Sequence, residues 1–120
     1  MILLDTHALV WVQAAHRRAK PLLRWAGHLF VSPASLFELC ALAESGRVEI
    51  APLSEFLNDA RWMIDDPPSL PWFQAAFDLS WTRDPFDRLI AAHSLYRGFR
   101  LATADERLLE HLGPQHTLEL

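Results

Sequence analysis

Met1-Ile2-Leu3-Leu4-Asp5-Thr6-His7-Ala8-Leu9 opens the chain, and its reading decides the fold. Ile2, Leu3 and Leu4 form a short unbroken apolar run, as in a parallel strand buried on both faces. The run ends on an acid, Asp5, and a helix is predicted from about Ala8 to Ala15. Outward from this unit the same alternation recurs. A second helix is predicted over Arg18 to Ala26, with Gly27 as its stop. His28 to Val31 reads as a strand. Ser32-Pro33 then supplies an N-cap followed by proline at the first helical position, opening a helix to about Ser45 that Gly46 ends.

Val48 to Ile50 reads as a short strand or extended loop, and Ser54 to Ile64 as a helix. Asp65-Asp66-Pro67-Pro68-Ser69 is a loop. A helix is predicted over Trp72 to Leu79. Asp84-Pro85 repeats the cap-then-proline signal before a helix to Tyr96 that Gly98 stops. Arg100 to Thr103 reads as a strand, Asp105 to Leu112 as a helix, and Thr117 to Glu119 as a last strand. Strands alternating with helices imply an α/β fold with a mainly parallel sheet and helices on both faces.

Composition narrows the class. The chain has 120 residues and a mass of 13.7 kDa, so residues 1–120 are expected to form one domain. With 51% hydrophobic and 22% charged residues, disorder is excluded as the main state. Cys40 is the only cysteine, which excludes an intrachain disulfide and a cysteine-rich zinc site. A net charge of −4 means no global basic field. No run approaches the ~18 apolar residues of a membrane helix, and the N-terminus lacks the basic region of a signal peptide. The expected location is the cytoplasm, away from the membrane.

Among 15 acids, those standing where a soluble fold does not want them carry the chemistry. Asp5 ends one apolar strand and Asp105 follows another, and ligands of parallel sheets bind outside the carboxyl ends of strands. The plainer reading is that each marks a helix cap, with Thr6 or Asp105 supplying the cap oxygen. Glu38 is the lone charge between Pro33 and Ala43, on a helix apolar almost all round and expected to be largely buried. A carboxylate there must be paired, protonated or bound to a cation. Asp84 suits an N-cap, and Asp87 falls three residues later, where a capping-box acid sits. If Asp5, Glu38, Asp87 and Asp105 converge, they repel one another unless a divalent cation neutralises them. Oxygen ligands without cysteine favour Mg²⁺ or Mn²⁺ over zinc. An acidic cluster holding Mg²⁺ suits phosphodiester hydrolysis, because the metal lowers the pKa of water and stabilises charge on phosphate.

Four segments resemble one known family. Leu3-Leu4-Asp5-Thr6-His7-Ala8-Leu9 is similar to the opening of PIN-domain ribonucleases of the VapC toxin type. Ser32-Pro33-Ala34-Ser35-Leu36-Phe37-Glu38-Leu39 resembles their second motif, Asp84-Pro85-Phe86-Asp87-Arg88-Leu89-Ile90-Ala91 the third, and Leu101-Ala102-Thr103-Ala104-Asp105 the fourth. The segments come in family order and span residues 2–106. The resemblance implies a three-layer α/β/α sandwich and an Mg²⁺-dependent endoribonuclease, with Mn²⁺ as substitute, whose products carry a 5′-phosphate and a 3′-hydroxyl. It implies RNA as substrate, a cognate antitoxin that covers the acidic groove, and a homodimer. By matching position, Asp5, Glu38, Asp87 and Asp105 are the catalytic and metal-binding acids. Thr6 and Thr103 match positions that orient acids, and Asp84 a cap or outer-shell acid. Residues 65–81, rich in Trp, Phe and Pro, depart from the family pattern. So does the stretch after Glu38, where Ala41 to Ala43 stand in place of a basic residue.

Phosphate contacts require cations, and Arg17, Arg18, Lys20, Arg24, Arg83 and Arg88 are the candidates. His7 is expected to be packed or to support the site, and His93 to be structural. Of five tryptophans most should lie in the core, with exposed ones near Trp62 and Trp72 suiting a dimer or antitoxin surface. A haloacid-dehalogenase phosphatase would need a second Asp two residues after the first, where His7 stands. That class and receiver domains also need a downstream lysine, and the only lysine is Lys20. The remaining alternative is an interaction module on the same scaffold with degenerate catalysis.

Overall fold

A computed structural model describes residues 1–120. Five parallel strands form one sheet in the order β3-β2-β1-β4-β5. They are β1 (Ile2–Leu4), β2 (Leu29–Val31), β3 (Met63–Ile64), β4 (Arg100–Thr103) and β5 (Thr117–Glu119). Helices α1 (Thr6–Gln13), α2 (Lys20–Leu23), α3 (Pro33–Glu44), α4 (Leu53–Asn58), α5 (Ser69–Phe77), α6 (Pro85–Arg97) and α7 (Glu106–Leu112) cover it. The expected α/β/α sandwich is therefore what forms, and the sheet is wholly parallel.

The central strand is the one that opens the chain. Leu3 lies opposite Phe30 of β2 and Leu101 of β4, and Ile2, Leu3 and Leu4 are all fully buried. Alternating side chains divide the core between the two faces of the sheet. Ile2 and Leu4 join Leu9, Val12, Leu39, Phe56 and Trp62 on one face. Leu3 and Leu101 join Trp72, Ile90 and Leu108 on the other. At roughly 2 kcal/mol for each fully buried Leu or Ile, β1 contributes to both layers.

Strand order reverses direction beside β1: the chain fills β2 and β3 on one side, then β4 and β5 on the other. The carboxyl ends of β1 and β4 therefore flank the switch point, where parallel sheets open a crevice. The Asp5 amide donates to the Ala102 carbonyl at 3.1 Å, so the strand end carrying Asp5 is pinned to the strand leading to Asp105.

Several boundaries differ from expectation. The second helix is not continuous over Arg18 to Ala26; a 3₁₀ turn at Arg17–Ala19 gives way to α2 at Lys20–Leu23. Pro21 explains the break, since it cannot donate within a helix but suits the first turn of a new one. Of the two forms open to Val48 to Ile50, a strand or an extended loop, it takes the loop. The helix expected over Ser54 to Ile64 stops at Asn58, and Met63–Ile64 becomes the edge strand β3. Asp59 has extended backbone (ψ 128°) and takes the Arg61 amide and guanidinium, which turns the chain. Trp62 then enters the core and donates its indole N–H to the Phe56 carbonyl at 2.8 Å. Trp62 and Trp72 are each 5% exposed and belong to the core, as expected of most of the tryptophans, while their neighbours Met63 and Phe73 are exposed. In α3 the outcome is the reverse: Phe37 is 67% exposed and Cys40 is exposed, because only Ala34, Ser35 and Leu39 are fully buried by the packing of the helix.

Candidate metal centre

Asp5 is the N-cap of α1, accepting the Ala8 N–H on Oδ1 at 2.8 Å, so Thr6 is not the cap. It is 7% exposed. Burial pushes its carboxyl up, and the Asp105 charge adds to this, while the Thr103 hydroxyl, the Ala8 N–H and His7 pull it down. The Thr6 hydroxyl instead donates to Glu38 Oε1, tying the first turn of α1 to the second turn of α3. Glu38 is half-buried; its carboxyl is raised by burial and by the charges of Asp84 and Asp5, against the lowering effect of Thr6 and His7.

Asp84 caps α6, its Oδ1 accepting from Phe86 N–H at 2.9 Å and Asp87 N–H at 3.0 Å. Asp105 caps α7 in the same way, with Arg107 N–H at 2.9 Å and Leu108 N–H at 3.1 Å on its Oδ1. The Thr103 hydroxyl accepts the Asp105 N–H at 3.0 Å. In Asp84 and Asp105 the cap occupies one carboxylate oxygen and leaves Oδ2 free of protein hydrogen bonds. Capping and a second role are therefore compatible in one side chain.

Asp87 sits in the first turn of α6, and nothing donates to its carboxylate. It is pushed up to about 7, first by burial and then by the charges of Asp84, Glu38, Asp105 and Asp5. Every other acid of the group acts on Asp87, so five carboxylates share one electrostatic site. Carboxylate oxygens of Glu38, Asp84 and Asp87 lie within 4.8 Å of one another. The tightest trio thus includes Asp84, which sequence reasoning placed only in a supporting role, while Asp5 and Asp105 stand outside it. All five line one open cleft of about 380 Å³ at the carboxyl ends of β1 and β4, together with Thr6, His7, Trp11, Leu42, Arg47, Ala104 and Leu108.

The donor set fits a hard divalent cation. It consists of carboxylate oxygens without thiols, on elements that hydrogen bonds lock in place. Without a cation the cluster holds a proton near neutral pH; with one, the same repulsion becomes coordination.

The cations expected to meet phosphate are elsewhere. Arg88 donates to the Ala76 and Phe77 carbonyls at the end of α5, and Arg18 to the Leu120 carbonyl. Neither these nor Arg17, Lys20, Arg24 and Arg83 line the cleft. The basic residue that does is Arg47, which sequence reasoning missed. Its signal was the glycine before it: a residue following a helix-ending glycine is folded back over the last turn. His7 is exposed on the cleft wall rather than packed, whereas His93 is fully buried as expected.

The family model described as the PIN domain matches residues 2–113. Ribonuclease VapC22 of Mycobacterium tuberculosis (strain ATCC 25618 / H37Rv) is 34% identical over 122 aligned residues, covering 95% of this chain and 94% of that protein. Two solved structures share the fold. A chain of a toxin–antitoxin complex from Klebsiella pneumoniae superposes with a TM-score of 0.70 at 16% identity, covering all of both chains. A chain of VapBC2 from Rickettsia felis, bound to a DNA fragment from their promoter, gives 0.65 at 21% identity over 99% of this chain and 98% of that one.

Proposed function

Because the chain belongs to the PIN domain family, we propose that it is a divalent-metal-dependent endoribonuclease acting as the toxin of a toxin–antitoxin pair. The observation that carries this reading is the convergence of Asp5, Glu38, Asp84, Asp87 and Asp105 in one cleft, with Asp87 raised to about 7 by burial and then by its neighbours' charges. Residues 1–120 act as one domain.

Glu38, Asp84 and Asp87 would hold a Mg²⁺ or Mn²⁺ ion, with Asp5 and Asp105 completing the site. Such an ion, when bound, polarises a phosphodiester and lowers the pKa of water beside it. The protein's own groups prepare the site. Thr6 fixes the Glu38 carboxylate through its hydroxyl. The Ala8 N–H and Thr103 hold Asp5 in one orientation at the end of β1. Asp87, which burial and its neighbours' charges raise to about 7, would give its carboxylate to the ion once deprotonated. With the caps of α6 and α7 each satisfied by one oxygen, Oδ2 of Asp84 and Oδ2 of Asp105 remain available to the ion.

The partners follow from the same reading. RNA is the substrate and the cytoplasm the place of action. The relatives of known structure come from toxin–antitoxin assemblies, and an antitoxin covering the cleft would silence it. Phe37, Leu70, Phe73 and Phe77 are between 44% and 68% exposed on α3 and α5. On α5, Leu70, Phe73 and Phe77 recur at helical spacing and make one exposed apolar stripe. This supports a homodimer. An inactive interaction module would have no use for five converging carboxylates.

Purified, antitoxin-free protein should cut total RNA at discrete sites with Mg²⁺ or Mn²⁺ and not with EDTA. Asp5→Asn should lose cleavage while keeping its fold. Full activity in that variant, or no cleavage by folded, metal-loaded wild type, would overturn the reading.

A further inference from the structure

A strand of RNA entering the cleft meets five carboxylates, and one divalent ion offsets only part of that charge. Phosphate therefore needs a protein cation at the rim. Arg18, Arg61, Arg88, Arg97 and Arg100 are unsuited, since each already donates to a carbonyl or carboxylate of the protein. Of the remaining arginines only Arg47 lines the cleft. Its guanidinium makes no hydrogen bond or ion pair within the protein, even with Glu38 and Asp84 lining the same space.

Its place is set by the end of α3. Gly46 takes the left-handed conformation (φ 74°), its N–H donates to the Ala43 carbonyl, and the Arg47 N–H reaches back to the Leu42 carbonyl at 3.0 Å. These paired bonds are those of a Schellman cap, which folds the residue after the glycine over the last turn. Glu38 and Arg47 are therefore carried by one helix and its cap. Arg47 also lines an adjoining shallow groove with Glu38, Leu42, Asp84 and Phe86. It thus stands where a chain leaving the carboxylates passes out of the cleft. A guanidinium fork suits the two oxygens of a phosphodiester.

We propose that Arg47 is a substrate-binding residue that grips the RNA phosphate next to the one being cut. This rests on the ribonuclease reading above. Arg47→Ala and Arg47→Lys would be compared with wild type on a short single-stranded oligoribonucleotide of mixed sequence, with Arg24→Ala as a control outside the cleft. Arg47→Ala should raise KM roughly tenfold, leave kcat within about twofold, and reduce the slope of log affinity against log salt by about 0.7, the value of one phosphate contact on a single strand. Arg47→Lys should restore the slope but only part of the affinity, since the fork is lost. Stabilisation by Mn²⁺ should be unchanged in all variants, because Arg47 holds no ion. If wild type cuts and Arg47→Ala matches it in KM and salt slope, this assignment fails and the ribonuclease reading stands. If Arg47→Ala instead loses kcat and Mn²⁺ stabilisation, Arg47 supports the metal site and the assignment also fails. If wild type neither binds nor cuts RNA, both fall.

Discussion

Replacing Asp87 by Asn should stabilise the metal-free protein at alkaline pH and remove its response to divalent cation. The Asp87 carboxyl is raised from 3.8 to about 7. The folded state therefore retains a proton that the unfolded state has released. Stability from this group is full below pH 3.8 and is lost as pH rises through about 7. A displacement of this size is worth ~4 kcal/mol at full value. Asp87 is only part-buried, and solvent screening reduces the usable figure to about 1–2 kcal/mol. In a chain of this length that corresponds to roughly 4–8 °C in Tm. The assay is thermal unfolding of wild type and Asp87→Asn in EDTA at pH 5 and pH 8, then with Mn²⁺ at pH 8. The variant should already be somewhat the more stable at pH 5, where the unfolded carboxyl has lost its proton, and its advantage should grow to the full value at pH 8. Adding Mn²⁺ should raise wild type and leave the variant nearly unmoved. The same pH profile in both proteins, or a variant less stable than wild type at pH 8 without metal, would refute the electrostatic account of the cluster.

Three further outcomes follow from other parts of the structure. Thr6→Val removes the donor to Glu38 while keeping its shape; Mn²⁺ affinity measured calorimetrically should weaken about tenfold, with stability lowered by about 1 kcal/mol. His93 is fully buried against Trp72 and bonds Asp65 Oδ2 at 2.7 Å. His93→Ala should therefore lower the urea midpoint by the equivalent of about 2–4 kcal/mol with little change in m. Burial pushes the His93 ring below its ordinary 6.5, so its share of stability is present above that pH and lost as pH falls, and the variant should lose that acid-side slope. Phe37→Asp combined with Phe77→Asp should shift sedimentation toward the monomer without unfolding the protein, since both rings are at least 67% exposed.

Much of the fold was legible because its signals are local. An apolar run ending in Asp5, prolines after Ser32 and Asp84, and glycines at positions 46 and 98 each act through their own backbone. The elements they mark lie where expected. The misread segments depend on distant partners. Residues 59–64 carry an adequate helical pattern, but Asp59 pairing with Arg61, Trp62 seeking the Phe56 carbonyl and an open edge beside β2 override it. Exposure on α3 was misjudged for the same reason. An apolar helix surface shows what could be buried, and only the arrangement of neighbours shows what is.

The sequence by itself determined which chemistry was possible: acids at strand ends and helix caps, no thiol set, and one order of motifs along the chain. Each of those residues obeys a rule that operates over a few bonds. Tertiary structure decided which acids stand together. Asp84 joined Glu38 and Asp87 because the second turn of α3 lies beside the start of α6, with Phe37 against Phe86. Asp87 rose to about 7 because folding buries it and, after that, because four other carboxylates act on it through space. Arg47 came to the cleft because the cap of α3 turns it there. Charge repulsion and burial depend on distance in space, and a string of residues carries that only after the sheet has set its order.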